Sequence, residues 1–175
     1  EAALGTYHYM AGDKERSLQH QARVVEIGKE YGLKDIVAKN AHTLGDTYLL
    51  LGDYRKAYTF LRTSMEIAEE LGYDILINLN QIYLAFIDVM KFESEDGLNK
   101  LKKSLELANK RDNIWEQLQV HYFLGRIYFE RRQYEHAVSH LRQVIRIGRT
   151  ADNIRYEAET MVLLDQIKQA RSETL

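Results

Sequence analysis

The sequence predicts an all-α fold in which antiparallel helix hairpins stack on one another, and three observations lead to this prediction. Leucine recurs every 40 residues, at Leu4, Leu44, Leu84 and Leu124. Apolar residues within each interval are three and four positions apart, which places them on one helix face. The 175 residues include no proline, the residue that most strongly breaks helix interiors. A fixed period of this length is typical of stacked supersecondary units.

The hydrophobic spacing predicts nine helices, near residues 1–11, 14–30, 35–51, 54–71, 75–91, 94–111, 115–131, 134–150 and 154–172. Gly45 and Gly125 align as a small residue at which two helices of a hairpin can approach. In the partner helices Ala57 and Ala137 align as a second small column, and a column of leucines follows them at Leu61, Leu101 and Leu141. We expect these columns to form the contacts within each hairpin.

Turn residues separate the predicted helices. Glycine supplies the special backbone angle and a following aspartate caps the next helix, as at Gly12-Asp13 and Gly52-Asp53. Ser94 is expected to cap its helix in the same way. Between hairpins the predicted turn residues are Gly32, Gly72, Asp112 and Asp152.

No linker interrupts the repeats, so we expect a single domain over residues 1–175. It comprises a partial first copy at 1–33, a second copy at 34–73, a third at 74–113, a fourth at 114–153 and a capping helix at 154–172. In the capping helix Asp165 replaces the small residue of Gly45 and Gly125. Its expected buried residues are Met161, Leu164 and Ile167.

The N-terminal end has no such capping device. Leu4, Tyr7 and Met10 are apolar, and no repeat precedes them. We therefore expect the natural protein to continue in this direction with at least one more helix. In the present chain the open end is expected to form a homodimer, because an uncovered apolar face tends to associate.

Composition excludes several classes of function. The formal net charge is −2, whereas nucleic-acid binders usually carry a basic excess. Cysteine is absent, which removes disulfides and thiolate chemistry and fits a reducing compartment. No signal peptide opens the chain, and no apolar run is expected to be long enough for a membrane span. We expect a cytoplasmic protein that binds neither nucleic acid nor membranes.

Two copies carry a family signature. The second reads Leu44-Gly45-x-x-Tyr48, then Leu51-Gly52-Asp53-Tyr54, then Ala57 and Leu61. The fourth repeats it as Leu124-Gly125-x-x-Tyr128, Tyr134, Ala137 and Leu141. This pattern resembles the tetratricopeptide repeat. The period of 40 residues exceeds the common value of about 34 and no proline closes a copy, as in the long-helix subclass of the family.

The resemblance implies a right-handed superhelical solenoid that recognises a protein or peptide in a concave groove. In the family the first helix of each hairpin lines this groove. Carried onto this sequence, the groove positions are His42, Asp46, Leu49, Leu79, Ile82, Phe86, Val89, Tyr122, Arg126 and Phe129.

The third copy is the most apolar at these positions. Ile82, Phe86 and Val89 form one helical stripe, and Tyr122 and Phe129 lie at matching positions in the next copy. Such a stripe is either a docking patch for a partner or packing between neighbouring copies. The sequence leaves both interpretations open.

No catalytic or metal constellation is found. His136 and His140 have the spacing of two metal ligands on a helix, but no glutamate follows His136 as in zinc proteases. The aligned positions in other copies are those of an outer, solvated face. We expect no metal, no cofactor and no enzymatic activity.

The leading hypothesis is therefore a scaffold that binds a protein or peptide, including another domain of its own protein. The first alternative is a structural module that self-associates through its repeat ends. The second is a sensor or regulatory domain of a larger bacterial signalling protein.

Overall fold

The computed structural model describes residues 14–150 and 154–172, and within these ranges it contains eight α-helices and no strand. They are α1 Lys14–Glu30, α2 Lys34–Leu50, α3 Tyr54–Leu71, α4 Asp74–Phe92, α5 Glu95–Lys110, α6 Ile114–Glu130, α7 Tyr134–Thr150 and α8 Ile154–Ser172. The most extensive contacts between helices are those of α2 with α3 and of α6 with α7, and each of these pairs forms a hairpin.

This arrangement confirms the all-α prediction. Every predicted helix within the described ranges is present, and its ends lie within one residue of the predicted positions. The helix predicted near 1–11 lies outside the described residues. Two compact units are present, one running up to Ile87 and the other beginning at Asp88, inside α4. We call them the first and second units; the single domain stays a prediction.

Left-handed residues end most of the helices. Gly32, Gly52 and Gly72 have φ between 66° and 77°. At Gly72 the following amide, of Tyr73, donates to the Ala68 carbonyl oxygen over 2.9 Å. This bond satisfies a carbonyl that α3 leaves without a helical partner. The equivalent residues Glu93, Asp112 and Arg132 adopt φ of 50–57° although they carry side chains.

The predicted N-caps of two helices are confirmed. The Asp53 carboxylate accepts a hydrogen bond from the Lys56 amide over 3.0 Å at the start of α3. Ser94 does the same for the Gly97 amide at the start of α5, also over 3.0 Å. The sequence interpretation missed Asn113, which caps α6.

The aligned columns form the contacts within the hairpins. Ala57, Ala137 and the three leucines of the large column have no solvent exposure: Leu61, Leu101 and Leu141. A Cβ added at Gly45 would lie 2.5 Å from Leu61 Cγ, and one at Gly125 would lie 2.6 Å from Leu141 Cδ2. No side chain fits at either glycine without a shift of the neighbouring helix or leucine.

The final helix only partly follows the prediction. Ile167 is 2% exposed and Leu164 is half-buried. Met161, which we expected to be buried, is 56% exposed, and its neighbour Val162 is 58% exposed. Asp165 is exposed, as expected of a polar cap.

Helix α4 corrects the expectation that no segment has the length of a membrane span. By length and composition alone, its 19 residues could cross a bilayer. A core helix passes the same test, and the α4 side chains of Ile82, Tyr83 and Phe86 are each at most 1% exposed. Burial within the fold accounts for their apolar character.

The close approach at Gly45 can be tested by a double-mutant cycle. Gly45→Ala is expected to lower the free energy of unfolding by about 1–3 kcal/mol, because the new methyl group overlaps Leu61. In a Leu61→Ala background, which removes the overlapping atoms, the same change should cost much less. Urea unfolding of the four proteins measures this coupling. If the costs of the two substitutions in free energy of unfolding are additive, Leu61 does not limit how closely the two helices approach.

Candidate functional site

A chain of hydrogen bonds connects three helices of the first unit. Asn80 on α4 donates through Nδ2 to Ser64 Oγ on α3 over 2.8 Å. Its Oδ1 lies 2.8 Å from Nδ1 of His42 on α2. Because the amide nitrogen is used by Ser64, the amide oxygen accepts, and His42 Nδ1 is the donor. Asn80 and Ser64 are fully buried, so each needs the other as a partner.

The hydrogen bond to Asn80 places His42, a predicted groove residue, at the contact between α2 and α4. Its ring lies edge-on to Tyr83, with the ring centroids 5.0 Å apart. Burial lowers the pKa of His42 below its ordinary value, against smaller opposing effects of Asn80 and Asp46. A neutral imidazole therefore donates to Asn80 at physiological pH.

The other predicted groove residues of the first unit are mostly buried. Leu49, Ile82 and Phe86 are at most 1% exposed, and Asp46 is 8% exposed. Leu79 is half-buried. Their burial favours the packing interpretation of the apolar stripe, while the groove assignment itself stays a prediction.

In the second unit, Tyr122 has the position that His42 has in the second copy. The Tyr122 hydroxyl donates to the Glu159 carboxylate on α8 over 2.7 Å. Burial, followed by the charge of Glu159, raises the pKa of the Tyr122 phenol, which therefore stays protonated as the donor. The Arg126 guanidinium lies 5.9 Å from the centroid of the Tyr122 ring. Tyr122 is thus held by polar contacts as well as by packing.

The remaining predicted residues of this unit differ in exposure. Val89 is 4% exposed, whereas Arg126 and Phe129 are half-buried. The ring centroids of Phe129 and of Tyr134 on α7 are 6.2 Å apart. Arg126 and Phe129 thus keep some surface for a partner.

A cleft in the second unit was not predicted as a site. It encloses about 530 Å³ between the C-terminal ends of α4 and α6. We call it the acidic cleft, and its lining residues are Val89, Met90, Glu93, Glu95, Ile127, Glu130, Arg131 and Gln133. Of the predicted groove residues only Val89 lines it. The signal that could have revealed it is the pair of glutamates, Glu93 and Glu130, that end two first helices of successive hairpins.

The histidines are arranged differently from the expected outer face. His136 is exposed, but His140 is half-buried and its Nδ1 lies 2.9 Å from Nδ1 of His121 on α6. Among the described residues, no group of three or more His, Cys, Asp or Glu side chains is arranged to hold a metal ion.

Comparisons with known proteins identify the family. Family models described as tetratricopeptide repeat match residues 1–70 and 123–151. The chain belongs to the tetratricopeptide repeat family. The long-helix subclass stays a prediction.

Similar curated proteins carry the same repeat. Tetratricopeptide repeat protein 29 of Macaca fascicularis is 24% identical over 176 residues, and that of Homo sapiens is 25% identical. Each comparison takes in 96% of this chain and 35% of the relative. The chain therefore spans about a third of the length of these relatives.

Solved structures show the same fold. Aspartyl phosphate phosphatase F from Bacillus subtilis is 14% identical, with a TM-score of 0.65 over 99% of this chain and 45% of that one. The apo form of RapI is 18% identical, with a TM-score of 0.63 over 97% of this chain and 67% of that one. At these identities the likeness concerns the fold alone. Tetratricopeptide repeats are protein-interaction scaffolds and typically not enzymes.

Two phenylalanines on α4 distinguish packing from a groove surface. Phe86 is fully buried and Phe92 is 74% exposed. Phe86→Ala is expected to lower the free energy of unfolding by about 3–5 kcal/mol, because it leaves a cavity. Phe92→Ala, the same change on the same helix, should stay within about 0.5 kcal/mol. Urea denaturation followed by circular dichroism compares them, and a small effect at Phe86 would restore the docking interpretation.

Proposed function

We propose that this chain is a protein-interaction scaffold whose acidic cleft receives a partner segment with a basic side chain next to an apolar one. The observation that supports this proposal is the cleft itself, which combines an apolar floor with an excess of carboxylates. All residues that line the cleft belong to the second unit.

The floor is formed by Val89, Met90 and Ile127. Val89 and Ile127 are nearly buried, and Met90 is half-buried. Methionine is flexible and polarisable, so it adapts to the shape of an incoming apolar group. An apolar floor with a few polar groups around it is the usual composition of a binding pocket.

The charges around the floor are predominantly negative. Glu95 is paired with Arg131 over 3.0 Å. Within the described part of the chain, no ion pair is formed by Glu93 or Glu130, so both carboxylates can bind an external cation. These charges favour a lysine or arginine side chain over an acidic one.

The cleft shares one residue with the groove that the family resemblance implies. Val89 was assigned to the groove from sequence, and it lines the cleft. The half-exposed groove residues Arg126 and Phe129 lie on α6, the helix that also supplies Ile127 and Glu130. We propose that the partner segment contacts these residues as well.

Charge reversal at the cleft tests the proposal. A displayed library of random peptides is selected on the wild-type chain, and the affinities of the selected peptides are measured for Glu93→Lys with Glu130→Lys. We expect selected peptides to contain Lys or Arg next to an apolar residue. Binding to the variant should be at least about tenfold weaker, a loss of about 1.4 kcal/mol.

The matched control makes the same change of charge elsewhere in the second unit. Glu106 and Asp165 are exposed and lie outside the cleft lining. Glu106→Lys with Asp165→Lys should leave the affinities unchanged. Equal losses in both double variants would indicate a general effect of net charge, and selected peptides without basic residues would contradict the proposal.

A second candidate function is assembly through the repeat ends, and one observation favours it. Val162 on α8 is in register with Ile82 and Tyr122, two repeat steps and one repeat step earlier. Those residues are at most 5% exposed, whereas Val162 is 58% exposed and its neighbour Met161 is 56% exposed. An apolar surface at this position suits another helix of the same repeat type. The regulatory-domain alternative stays a prediction.

Light scattering over a concentration series tests assembly. If α8 mediates it, Met161→Lys with Val162→Glu should convert oligomers to monomers, because charges replace the apolar contact. Leu4→Glu with Tyr7→Lys tests the expected N-terminal contact, whose residues lie outside the described ranges. A wild-type chain that is monomeric at high concentration would exclude both contacts.

A further inference from the structure

Two imidazoles meet between the helices of the fourth copy. His121 on α6 and His140 on α7 are both half-buried, and their Nδ1 atoms are 2.9 Å apart. A hydrogen bond between two such nitrogens requires that one carries a proton and the other does not. With both rings neutral, one Nδ1 carries the proton and the other accepts it. If both Nδ1 atoms carried protons, two donors would face each other, and if both rings were fully protonated two positive charges would as well.

The groups that shift the pKa values of the pair include no carboxylate that could offset a second proton. Tyr128 on α6 stacks on His140, with ring centroids 5.5 Å apart and planes 12° apart. The charged or titratable groups outside the pair that lower the pKa values of His121 and His140 are Lys102 on α5, and His136 and Arg146 on α7. No carboxylate is among them, and no α8 side chain in the described range contributes.

We propose that the His121–His140 pair is a proton-sensitive contact, which keeps α6 and α7 together while both rings are neutral and loosens this hairpin when the pair is fully protonated. Nothing in this inference depends on a ligand in the acidic cleft.

In the second copy the positions that correspond to His121 and His140 hold no histidine. Tyr48 stacks on Phe60 with centroids 5.5 Å apart and planes 7° apart. Phe60 is two repeat steps before His140, and Ala41 is two repeat steps before His121. The stack on the tyrosine is therefore common to both hairpins, and the histidine pair is an addition in the fourth copy.

The same tyrosine also contacts a cation in the second copy. In the second copy Lys56 Nζ lies 5.1 Å from the centroid of the Tyr48 ring. His136 occupies the corresponding place beside Tyr128, with ring centroids 5.2 Å apart. A cation beside this tyrosine is thus compatible with the hairpin of the second copy, whereas two positively charged rings with Nδ1 atoms 2.9 Å apart would repel each other.

The direction of the pH effect follows from the pKa values. Burial, and then the charges of His140 and Arg146, lower the pKa of His121 from 6.5 to about 4. Burial also lowers the pKa of His140. A histidine with a lowered folded-state pKa binds its proton more readily in the unfolded chain. Its contribution to stability is therefore complete above pH 6.5 and is lost as the pH falls toward 4.

The second copy supplies the matched variant. His121→Ala with His140→Phe installs the residues of Ala41 and Phe60, and it removes the shared proton while keeping the stack on Tyr128. Urea unfolding of wild type and variant is measured from pH 7.5 to 4.5. His42 is unchanged in both proteins, so its own titration cancels in the comparison.

We expect the unfolding equilibrium constant of the wild type to rise with acid at least about tenfold more than that of the variant, beginning below about pH 6.5. If the unfolding equilibrium constants of wild type and variant change with pH to the same extent, the proposal is overturned.

Nuclear magnetic resonance of the wild-type imidazoles gives a second result that does not require the variant to fold. One ring of the pair should show the Nδ1–H tautomer and the other the Nε2–H tautomer, with both neutral at pH 7.5. Hydrogen exchange in α6 and α7 should accelerate as the pair becomes protonated, after correction for the intrinsic pH dependence of exchange. Two fully protonated rings with an intact hairpin would overturn the proposal.

Discussion

In the second and fourth copies the two helices of the hairpin approach closely at a residue without a side chain, and the packing of both hairpins depends on this contact. In the second copy the helices approach at Gly45. A Cβ at this residue would lie within 3.2 Å of Leu61 and of the Ala57 carbonyl oxygen. In the fourth copy they approach at Gly125, against Leu141. Once this contact is fixed, the 40-residue register determines which residues face the neighbouring copy.

The first position of the predicted groove connects successive copies in this chain. His42 bonds to Asn80 on the first helix of the next hairpin, 38 residues later. Tyr122 bonds to Glu159, 37 residues later, on the equivalent helix. A polar bond between buried groups is costly to leave unmade, so it specifies the register of neighbouring helices more sharply than apolar contact does. These side chains act first as links between copies.

The helices could be predicted from sequence because their signals are local. The hydrophobic spacing, the glycines and the caps at Asp53 and Ser94 all lie within a few residues of the helix ends that they determine. The exposure of the groove residues could not be predicted, because it depends on partners in another copy, as for His42 and Asn80. The His121–His140 contact was missed for the same reason, although His140 itself had been considered as a metal ligand.

The turns are the part of each copy that the packing columns constrain least, and they carry the features that differ between copies. Glycine adopts the left-handed conformation at residues 32, 52 and 72, whereas Glu93, Asp112 and Arg132 adopt it with a side chain. A side chain in this conformation costs about 1–2 kcal/mol. Glu93 lines the acidic cleft and Arg132 follows Arg131, which lines it too. Asp112 adopts the same conformation without lining the cleft, so the left-handed residue belongs to the turn geometry of the repeat and not to one surface.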